Sequence, residues 1–407
     1  MIEIATALKL IAAETRPLAA ETVPLSQVVG RRLVRPVIAD VDSPPHDKSL
    51  MDGFAMRSKD VEKPGVRLEV IDTILAGNFS SKTLTAGTAI RIMTGAPVPS
   101  GADAVVMLEH TDFNPEANSV IVHEPVVAGR NIMRRSQSMR EGEVVLPERH
   151  LIRSHDVGLL AEVGMHELKV FGNPTVAVLA TGDELVTASE KPAIAYIRNS
   201  NGPMLSALAA RLAKSVRDLG IARDNRESLK KKIQTGLEAD LLVLSGGVSA
   251  GMVDLVPQVL NERGVRQVFH NVSIKPGKPI WFGVRDTGTR RQYVFGLPGN
   301  PVSTLACFEV FVVACWQMLT GNLKPERKMT SGVLATDHVV RGGRPTYWPV
   351  TTMVDEGGVT RIHPLPWQGS SDLKCLAAAD SLAFFPPRES AYQSGECVEI
   401  LRLNQSP

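Results

Sequence analysis

The amino-acid sequence predicts a multidomain α/β plus β protein, in which a doubly wound α/β domain lies between a mostly β N-terminal region and a small C-terminal β domain. Three observations predict this fold class. A chain of 407 residues is too long to fold around a single hydrophobic core of ordinary size. Strands and helices alternate only in the middle of the chain. Short apolar runs between turn residues fill both ends, so we place the domains at 1–170, 171–322 and 323–407.

The N-terminal region is predicted to combine a helix with many short strands. Its first residues, MIEIATALKLIAAETRPLAAET, carry apolar side chains at helical spacing and lack the segments of an export signal, so we expect a surface helix. Strand candidates then follow between Gly, Pro, Asn and Asp turns: VRLEVI, AIRIM, AVVMLE, SVIVHE and GEVVL. We expect a β-rich insertion at about 46–140, between helical or linker parts at 1–45 and 141–170.

The middle of the chain alternates strands with helices. The apolar run in FGNPTVAVLATGDELV is followed by the helix NGPMLSALAARLA, in which Leu205, Leu208, Ala209 and Leu212 share one face. Further strands and helices alternate up to the apolar segment PVSTLACFEVFVVACWQMLTG, which carries Glu309 and is barely long enough to span a membrane, so we expect a buried core helix. This alternation predicts a parallel sheet with helices on both faces, whose ligands bind beyond the carboxyl ends of the strands.

The C-terminal part returns to strand-like runs. LKPERKMTSG is polar and broken by Pro and Gly, and GVLATDHVV, SLAFFPP and CVEILRL follow it. We therefore expect a small β domain.

Composition and charge argue against several classes of protein. Hydrophobic residues make up 43% and charged residues 22% of the chain, and the formal net charge is +2, without the basic bias of a nucleic-acid binder. The four cysteines are widely separated, which predicts neither a zinc site nor a disulfide framework and suits a reducing compartment. We expect a cytoplasmic protein with no nucleic-acid or membrane partner.

A glycine-rich loop follows the strand LLVL. It reads Ser245-Gly246-Gly247-Val248-Ser249-Ala250-Gly251 and leads into a helix with Asp254 near its start. Glycines let a ligand approach the backbone closely, and free N–H groups at a helix start attract anions, so a phosphate-bearing ligand fits there. The alternative is a tight glycine turn with Asp254 as a helix cap.

The loop after the first strand of the α/β domain offers two adjacent carboxylates, Asp183 and Glu184. Carboxylates that face a phosphate site are suitable Mg²⁺ ligands. The alternative is a pair of exposed acids in a turn.

Two further loops carry candidate anion-binding groups. In SIKPGKPIWFG, prolines stiffen the turn that holds Lys275 and Lys278. In GLPGNPVS, which contains Pro298 and Gly299, Ser303 falls in the first turn of the long helix. Four such loops at one end of a predicted sheet together favour a nucleotide or pterin-phosphate site.

These loops, in this order, resemble the molybdopterin molybdenumtransferase family, which includes the C-terminal catalytic part of gephyrin. The resemblance runs nearly end to end and rests on long motifs: SPPHDKSLMDGFAMR, RIMTGAPVPSGADAVVMLE, ATGDEL, LSGGVSAGMVD, KPGKP, GLPGNPVS and WQGSSDL. It implies an α/β domain of the molybdopterin-binding type, an elongated N-terminal region and a cytoplasmic homodimer. It also implies an enzyme that transfers molybdate to adenylylated molybdopterin with Mg²⁺ and releases AMP. Molybdopterin adenylyltransferase and molybdoenzymes are possible further partners.

The resemblance also implies residue roles. Asp52 and Thr94 are expected to line the cleft from the partner subunit, and Lys275 and Lys278 to hold molybdate or phosphate. The acidic, Mg²⁺-associated group is expected to be Asp183, Glu184 and Asp254. The remaining expected contacts to the nucleotide, pterin or oxyanion are Gly246, Gly247, Ser249, Pro298, Gly299, Ser303, Arg344, Ser370 and Ser371.

Several positions depart from the family pattern. Where the family has an acid in a Gly-Glu-Asp segment, this chain has Ser136-Gln137-Ser138. Asn225 replaces a second Asp, Pro349 replaces a second Arg, and His46 replaces a Phe. These departures keep two alternatives open. One is a molybdopterin adenylyltransferase-like enzyme, against which the long N-terminal segments argue. The other is a catalytically weakened paralogue or scaffold that binds pterin nucleotide without releasing AMP.

Overall fold

The computed structural model describes residues 1–248, 255–324 and 327–403, which form two compact units. One unit comprises Met1–Thr22 and Lys169–Pro407, and the other comprises Val23–Leu168. Ser249 and Asp254, two of the predicted site residues, lie outside the described residues.

The chain begins with helix α1 (Ile4–Glu14), followed by strand β1 (Ala20–Pro24). Ala7, Leu8 and Ile11 are the buried residues of α1, and they join the core of the α/β domain described below. The predicted surface helix is therefore confirmed, with one apolar face packed inward.

The second unit is mostly β, as predicted. Its strands are β2 (Val37–Ile38), β3 (Lys48–Ser49), β4 (Gly53–Met56), β5 (Val66–Ile74), β6 (Thr88–Ile92), β7 (Ala104–Met107), β8 (Thr111–Asn114), β9 (Ser119–Val122), β10 (Ile132–Met133) and β11 (Val144–Leu146). Helix α2 spans Asp156–Glu162, and short 3₁₀ turns occupy Leu25–Gln27, Ser58–Asp60 and Leu108–His110. Six strands form one sheet in the order β7-β4-β6-β5-β9-β8, and two small pairs join β10 to β3 and β11 to β2.

Both faces of that six-stranded sheet are buried. Along β4, Phe54 and Met56 enter one apolar cluster while Ala55 enters another, as alternation along a strand requires. Gly53 begins this strand because an added Cβ would lie 1.8 Å from the carbonyl oxygen of Val106 on β7. The close approach of these two strands fixes the backbone next to Asp52.

The α/β domain follows from residue 167 onward. Its strands are β12 (Glu167–Phe171), β13 (Thr175–Thr181), β14 (Leu185–Val186), β15 (Ile197–Arg198), β16 (Ser215–Ala222), β17 (Leu241–Ser245), β18 (Arg266–His270), β19 (Trp281–Asp286) and β20 (Arg291–Leu297). Its helices are α3 (Asn201–Ala210), α4 (Arg226–Gly236), α5 (Leu255–Glu262), α6 (Pro301–Cys307) and α7 (Val313–Leu319), and a π-helical segment (Phe308–Val312) joins the last two.

This domain is doubly wound, as predicted. On β13, Val176 and Val178 pack with α1, α3, α6 and α7, whereas Ala177 and Leu179 pack with α4 and α5. The central sheet has the order β16-β13-β17-β20-β19-β18, and its first four strands are parallel.

The expectation of a wholly parallel sheet is wrong at one edge. β19 pairs antiparallel with β20 and with β18, because a four-residue turn joins β19 to β20 and no crossover helix precedes β19. Two reversals leave β18 running in the same direction as β20. The loop after β18, which holds Lys275 and Lys278, therefore still leaves the sheet at the carboxyl edge.

The apolar segment near residue 310 is a core helix. In the described part of the chain one helical run, Pro301–Leu319, is long and apolar enough to cross a membrane, and 94% of its apolar window is buried inside the protein. This burial confirms the predicted core helix.

The C-terminal domain is a closed barrel with the strand order β21-β23-β22-β24-β25. Its elements are β21 (Thr330–Leu334), β22 (Thr346–Val354), β23 (Thr360–Pro364), α8 (Leu373–Ala378), β24 (Ser381–Phe385) and β25 (Cys397–Arg402). The start of β22 is joined to the lysine loop: Lys275 N–H donates to the Pro345 carbonyl (2.8 Å), and Tyr347 N–H donates to the Lys275 carbonyl (2.7 Å).

Candidate functional site

Two adjoining pockets lie at the carboxyl edge of the central sheet. The first, which we call the glycine pocket, has a volume of about 580 Å³ and is lined from the loops after β13, β17 and β20. The second, the lysine pocket, has a volume of about 470 Å³ and is lined from the loop after β18, the start of α6 and the barrel. Pro279, Pro298 and Asn300 line both pockets, so one elongated ligand can occupy the two.

The glycine pocket brings together six predicted site residues and one residue of a predicted loop. It is lined by Glu184, Gly246, Gly247, Pro298, Gly299 and Ser371, and also by Gly182. Gly246 and Gly247 both have left-handed backbone angles, with φ of 91° and 65°. A Cβ on Gly246 would lie 2.5 Å from the Thr181 carbonyl oxygen. The turn therefore requires glycine for conformation and for space, and the predicted glycine turn is present.

Two residues that line the glycine pocket each have a buried polar atom without a partner among the described residues. Asn201 Nδ2 donates to Ser245 Oγ (2.7 Å) and to the Gly299 carbonyl (2.6 Å), but Asn201 Oδ1 accepts no hydrogen bond from the described residues. Thr181 Oγ1 is likewise unpartnered. Buried polar atoms normally have partners, so an unpaired set beneath a pocket is typical of a site that receives a polar ligand.

The two adjacent acids after β13 point to different places. The Asp183 carboxylate accepts a hydrogen bond from Asp224 N–H (3.0 Å), and its backbone carbonyl accepts one from Arg223 Nη1 (2.8 Å). Glu184 lines the glycine pocket, and so does Asp224. Among the described residues no group of three or more His, Cys, Asp or Glu forms a metal cluster. Two carboxylates beside the glycine turn still fit Mg²⁺, which takes few protein ligands and completes its shell with substrate oxygens and water.

The lysine pocket is strongly cationic. Lys275, Lys278, Ser303, Arg344 and Ser370, all predicted site residues, line it together. Within the described residues, its lining contains three cations and no carboxylate. Such a pocket attracts a dianion, and the hydroxyl groups of the two serines add neutral donors.

Backbone contacts hold the lysine turn in place. Lys275 Nζ donates to the Arg341 carbonyl (2.9 Å), and Arg344 Nη1 donates to the Ile274 carbonyl (2.8 Å). Beneath the turn, a Cβ on Gly277 would lie 2.5 Å from Cys307 Sγ on α6. Lys278 is exposed at the pocket mouth, and its side chain makes no hydrogen bond or ion pair within the part of the chain that the structure describes.

The loop before α8 joins the barrel to the start of α6. Asn300 Nδ2 donates to Ser370 Oγ (2.8 Å), and Val302 N–H donates to the Ser370 carbonyl (3.0 Å). Ser370 lines the lysine pocket while Ser371 lines the glycine pocket. The two predicted serines therefore serve different pockets.

Asp52 and Thr94 form a pair within the second unit. Thr94 donates to Asp52 Oδ1 through its backbone N–H (2.6 Å) and its hydroxyl (2.8 Å). These two hydrogen bonds hold the pKa of the Asp52 carboxyl below its usual range, with a smaller contribution from Arg91. Asp52 is therefore an exposed, fixed carboxylate at neutral pH. Its predicted place in a partner's cleft stays a prediction.

Three of the departures from the family pattern have local explanations. Asn225 caps α4, since its Oδ1 accepts from Ser228 N–H (2.9 Å). Pro349 lies within β22 and lines neither pocket, while its neighbour Trp348 lines the lysine pocket. The His46 ring packs edge-on against Phe79 with ring centroids 5.2 Å apart.

Sequence reasoning missed many of the residues that line the pockets. Among them are Thr181, Asn201 and Asp224 in the glycine pocket, and Trp348 and Trp367 in the lysine pocket. Asn201 sits at the start of α3, where an asparagine reads as a helix cap. Position was the sequence signal for four of these five residues, since Asp224 follows a strand end and Thr181, Asn201 and Trp367 lie in quoted segments, whereas Trp348 lies within β22 and had none.

Comparison with known families identifies the class of protein that this fold and site define. Residues 2–164 match the MoeA N-terminal region (domain I and II), residues 177–317 match a probable molybdopterin binding domain, and residues 331–403 match the MoeA C-terminal region (domain IV). The pockets described above lie in the second and third of these regions. The architecture is thus that of a MoeA-type multidomain protein.

Similarity to characterised relatives extends along the chain. It is 31% identical over 408 residues to the molybdopterin molybdenumtransferase of Staphylococcus aureus strain Mu50, covering 98% of this chain and 95% of the relative. It is 31% identical over 382 residues to that of Staphylococcus epidermidis, covering 93% and 90%. The crystal structure of the molybdopterin biosynthesis MoeA protein from Pyrococcus horikoshii OT3 superimposes with a TM-score of 0.82 at 28% identity, covering 99% and 100%. The chain belongs to the molybdopterin molybdenumtransferase family.

Proposed function

We propose that this chain is a molybdopterin molybdenumtransferase, an enzyme that inserts molybdenum into molybdopterin in molybdenum cofactor biosynthesis. It acts by transferring molybdate to adenylylated molybdopterin with release of AMP. The observation that supports this function is the pair of adjoining pockets, one built on a glycine turn and the other lined by three cations. A nucleotide and an oxyanion can therefore be held side by side.

The glycine pocket suits the adenylate. The Gly246–Gly247 turn lets the ligand approach the backbone, and the polar side chains of Asn201 and Thr181 line the same pocket. Glu184 and Asp224 would hold Mg²⁺ there, with Asp183 behind them through its bond to the Asp224 N–H. When bound, Mg²⁺ offsets negative charge on the leaving AMP.

The lysine pocket suits molybdate. Molybdate is a tetrahedral dianion, and charge-assisted hydrogen bonds from Lys278, Lys275 and Arg344 would hold its oxygens, with Ser303 and Ser370 as further donors. Because the two pockets share Pro298 and Asn300, the bound oxyanion would lie next to the part of the substrate that extends from the nucleotide. The chain contributes to the transfer by bringing the reactants together and compensating their charge.

We also propose that the protein works as a cytoplasmic homodimer. Asp52 and Thr94 of one protomer would then complete the cleft of the other, as the resemblance predicts. The fixed, ionised Asp52 carboxylate supports a polar role, because two hydrogen bonds from Thr94 hold an exposed side chain in one orientation. Molybdopterin adenylyltransferase as supplier and molybdoenzymes as acceptors would be its natural partners.

Release of AMP tests this function. Purified protein is incubated with adenylylated molybdopterin and Mg²⁺, and AMP is measured with and without molybdate. We expect release that depends on molybdate. Tight binding of the substrate without release would identify a weakened paralogue or scaffold, and formation of adenylylated molybdopterin from ATP and molybdopterin would identify an adenylyltransferase.

A further inference from the structure

The lysine pocket has an aromatic wall that binding of an oxyanion does not explain. Trp348 on β22 and Trp367 on the loop before α8 both line it. Their rings meet edge to face, with centroids 4.9 Å apart and an interplanar angle of 86°. Contact with the apolar surface of an indole ring does not stabilise a tetrahedral dianion. The aromatic wall therefore indicates that another part of the ligand binds there.

Hydrogen bonds fix the polar edges of both indoles. Trp348 Nε1 donates to the Leu365 carbonyl (2.9 Å), and Trp367 Nε1 donates to the Gly369 carbonyl. Since both N–H groups have partners, the rings present carbon surface to the pocket. That surface suits a flat ring better than a charged group.

The wall is supported from behind by the barrel core. The His338 ring packs edge-on against Trp348 with centroids 4.4 Å apart, and it also contacts the fully buried Phe385 at 5.0 Å. Burial holds the pKa of His338 below its usual range, so this support is uncharged at neutral pH. The aromatic wall is therefore formed before a ligand binds.

The two pockets differ in what they offer a planar ring. In the part of the chain that the structure describes, the lining of the glycine pocket contains no aromatic side chain, whereas that of the lysine pocket contains both tryptophans and three cations. Among the described residues, a ligand that fills both pockets therefore finds aromatic surface in the lysine pocket alone, together with the three cations.

We propose that Trp367 and Trp348 receive the planar pterin ring of the substrate, while Lys275, Lys278 and Arg344 hold the oxyanion beside it. The proposal rests on the proposed function, since that function supplies a substrate with a pterin at one end and a nucleotide at the other. Trp367 is then a residue that determines specificity for the pterin.

Binding of a simple pterin tests the wall. The probe is hydroxymethylpterin, a neutral pterin without nucleotide or phosphate, and its dissociation constant is measured by calorimetry alongside that of AMP. Stacking of a base on an aromatic side chain is worth about 1–3 kcal/mol, so we expect Trp367→Leu to weaken pterin binding roughly tenfold. Trp367→Phe should retain most of the affinity, and AMP binding should be unchanged in both variants.

Two controls separate stacking from loss of structure. Trp316→Phe alters a tryptophan of α7 whose Nε1 donates to the Leu212 carbonyl, away from both pockets, and it should bind pterin and AMP as the wild type does. If Trp367→Leu does not fold, the second measurement is quenching of tryptophan fluorescence by the pterin. We expect quenching in the wild type and in Trp316→Phe, and less quenching in Trp348→Phe.

The outcomes distinguish this proposal from the proposed function. Equal pterin affinity in the wild type and Trp367→Leu overturns the proposal that the tryptophans bind the pterin. A loss of AMP affinity in place of pterin affinity overturns it as well. Either result does so even if AMP release depends on molybdate. Absence of pterin binding to the wild type overturns it as well. A tenfold loss of pterin affinity in Trp367→Leu supports the wall, and if the wild type then releases no AMP, it is the transferase assignment that fails.

Discussion

Lys278 is the residue with the most direct predicted role in binding the oxyanion. It is exposed in a pocket whose described lining has no carboxylate, and its two neighbouring cations, Lys275 and Arg344, already donate to backbone carbonyls. A hydrogen bond to a charged group contributes about 1.5–3 kcal/mol. We expect Lys278→Ala to raise the KM for molybdate at least tenfold and to leave AMP affinity unchanged.

Steady-state AMP release at limiting and at saturating molybdate measures this effect. Lys63→Ala, which removes an exposed lysine of the other compact unit, is the matched control and should behave as the wild type. Undiminished release by Lys278→Ala at limiting molybdate contradicts the assignment of the lysine pocket.

Gly246 provides a second prediction at this scale. Its φ of 91° disfavours any side chain, and a Cβ would also press on the Thr181 carbonyl at 2.5 Å. Gly288 has a φ of 80° but nothing within 4 Å of an added Cβ. Gly288→Ala should therefore lower the free energy of unfolding by about 1 kcal/mol. Gly246→Ala should lower it by about 2 kcal/mol or more and should also weaken nucleotide binding. Urea unfolding and AMP calorimetry test this difference, and equal effects of the two variants contradict it.

Single residues also show what local sequence can reveal. The glycine turn and the lysine turn were predictable, because Gly, Pro and Lys at strand ends have direct backbone and charge consequences. Thr181 and Asn201 were not, since an unpartnered buried oxygen is a property of the folded environment. Adjacent acids such as Asp183 and Glu184 looked equivalent in the sequence, but only Glu184 lines the pocket.

At the scale of elements, a buried ion-pair network joins the core helix to its neighbours. Glu309, fully buried in the π-helical segment, accepts from Arg211 Nη2 after α3 (2.6 Å) and from Arg327 Nη1 before β21. Arg327 also donates to the Arg402 carbonyl of β25 (3.3 Å). One carboxylate therefore links the α/β domain to the barrel that supplies half of the lysine pocket.

Removal of that charge should be costly. Glu309→Gln leaves the buried guanidinium group of Arg327 and the partly exposed one of Arg211 without their counter-charge, and breaking a buried pair costs about 3–5 kcal/mol. We expect urea unfolding to show a loss of this size. Glu238→Gln, which disrupts an exposed pair with Arg217, should cost less than about 1 kcal/mol. Similar losses for both variants contradict the proposed role of the network.

Element identity was more predictable than strand direction. Apolar alternation and helical periodicity identified the sheet strands and the core helix. They did not reveal that β19 runs antiparallel, because the pattern of a buried strand is the same in either direction. The lysine turn nevertheless lies at the predicted edge, since the second reversal restores the direction of β18.

At the scale of the whole molecule, packing between distant segments was not predictable. Helix α1 begins the chain but contributes Ala7 and Ile11 to the core of the α/β domain, a contact across more than half of the sequence. Local sequence patterns do not predict contacts between segments so far apart in the chain. The predicted boundaries near residues 170 and 322 stay predictions.

The proposed homodimer makes a prediction that depends on subunit arrangement. If Asp52 of one protomer completes the cleft of the other, a dimer of Asp52→Ala protomers or of Lys278→Ala protomers has two impaired clefts. A mixed dimer of one Asp52→Ala and one Lys278→Ala protomer has both substitutions in one cleft and neither in the other, so one cleft stays intact. Random reassociation makes half of the dimers mixed, so the mixture should regain about a quarter of wild-type activity. Light scattering should show twice the 44.0 kDa chain mass. A monomer, or a mixture no more active than its parents, contradicts this arrangement.

The central claim is that one substrate lies across two adjoining pockets, with its nucleotide on the glycine turn and the oxyanion among the lysines. A crystal structure of the protein soaked with AMP and tungstate tests it most directly, because tungstate matches molybdate in size and charge and its metal is located by anomalous scattering. The account predicts tungsten against Lys278 and Arg344 and AMP on the Gly246–Gly247 turn. Tungsten bound elsewhere, or AMP in the lysine pocket, would contradict it.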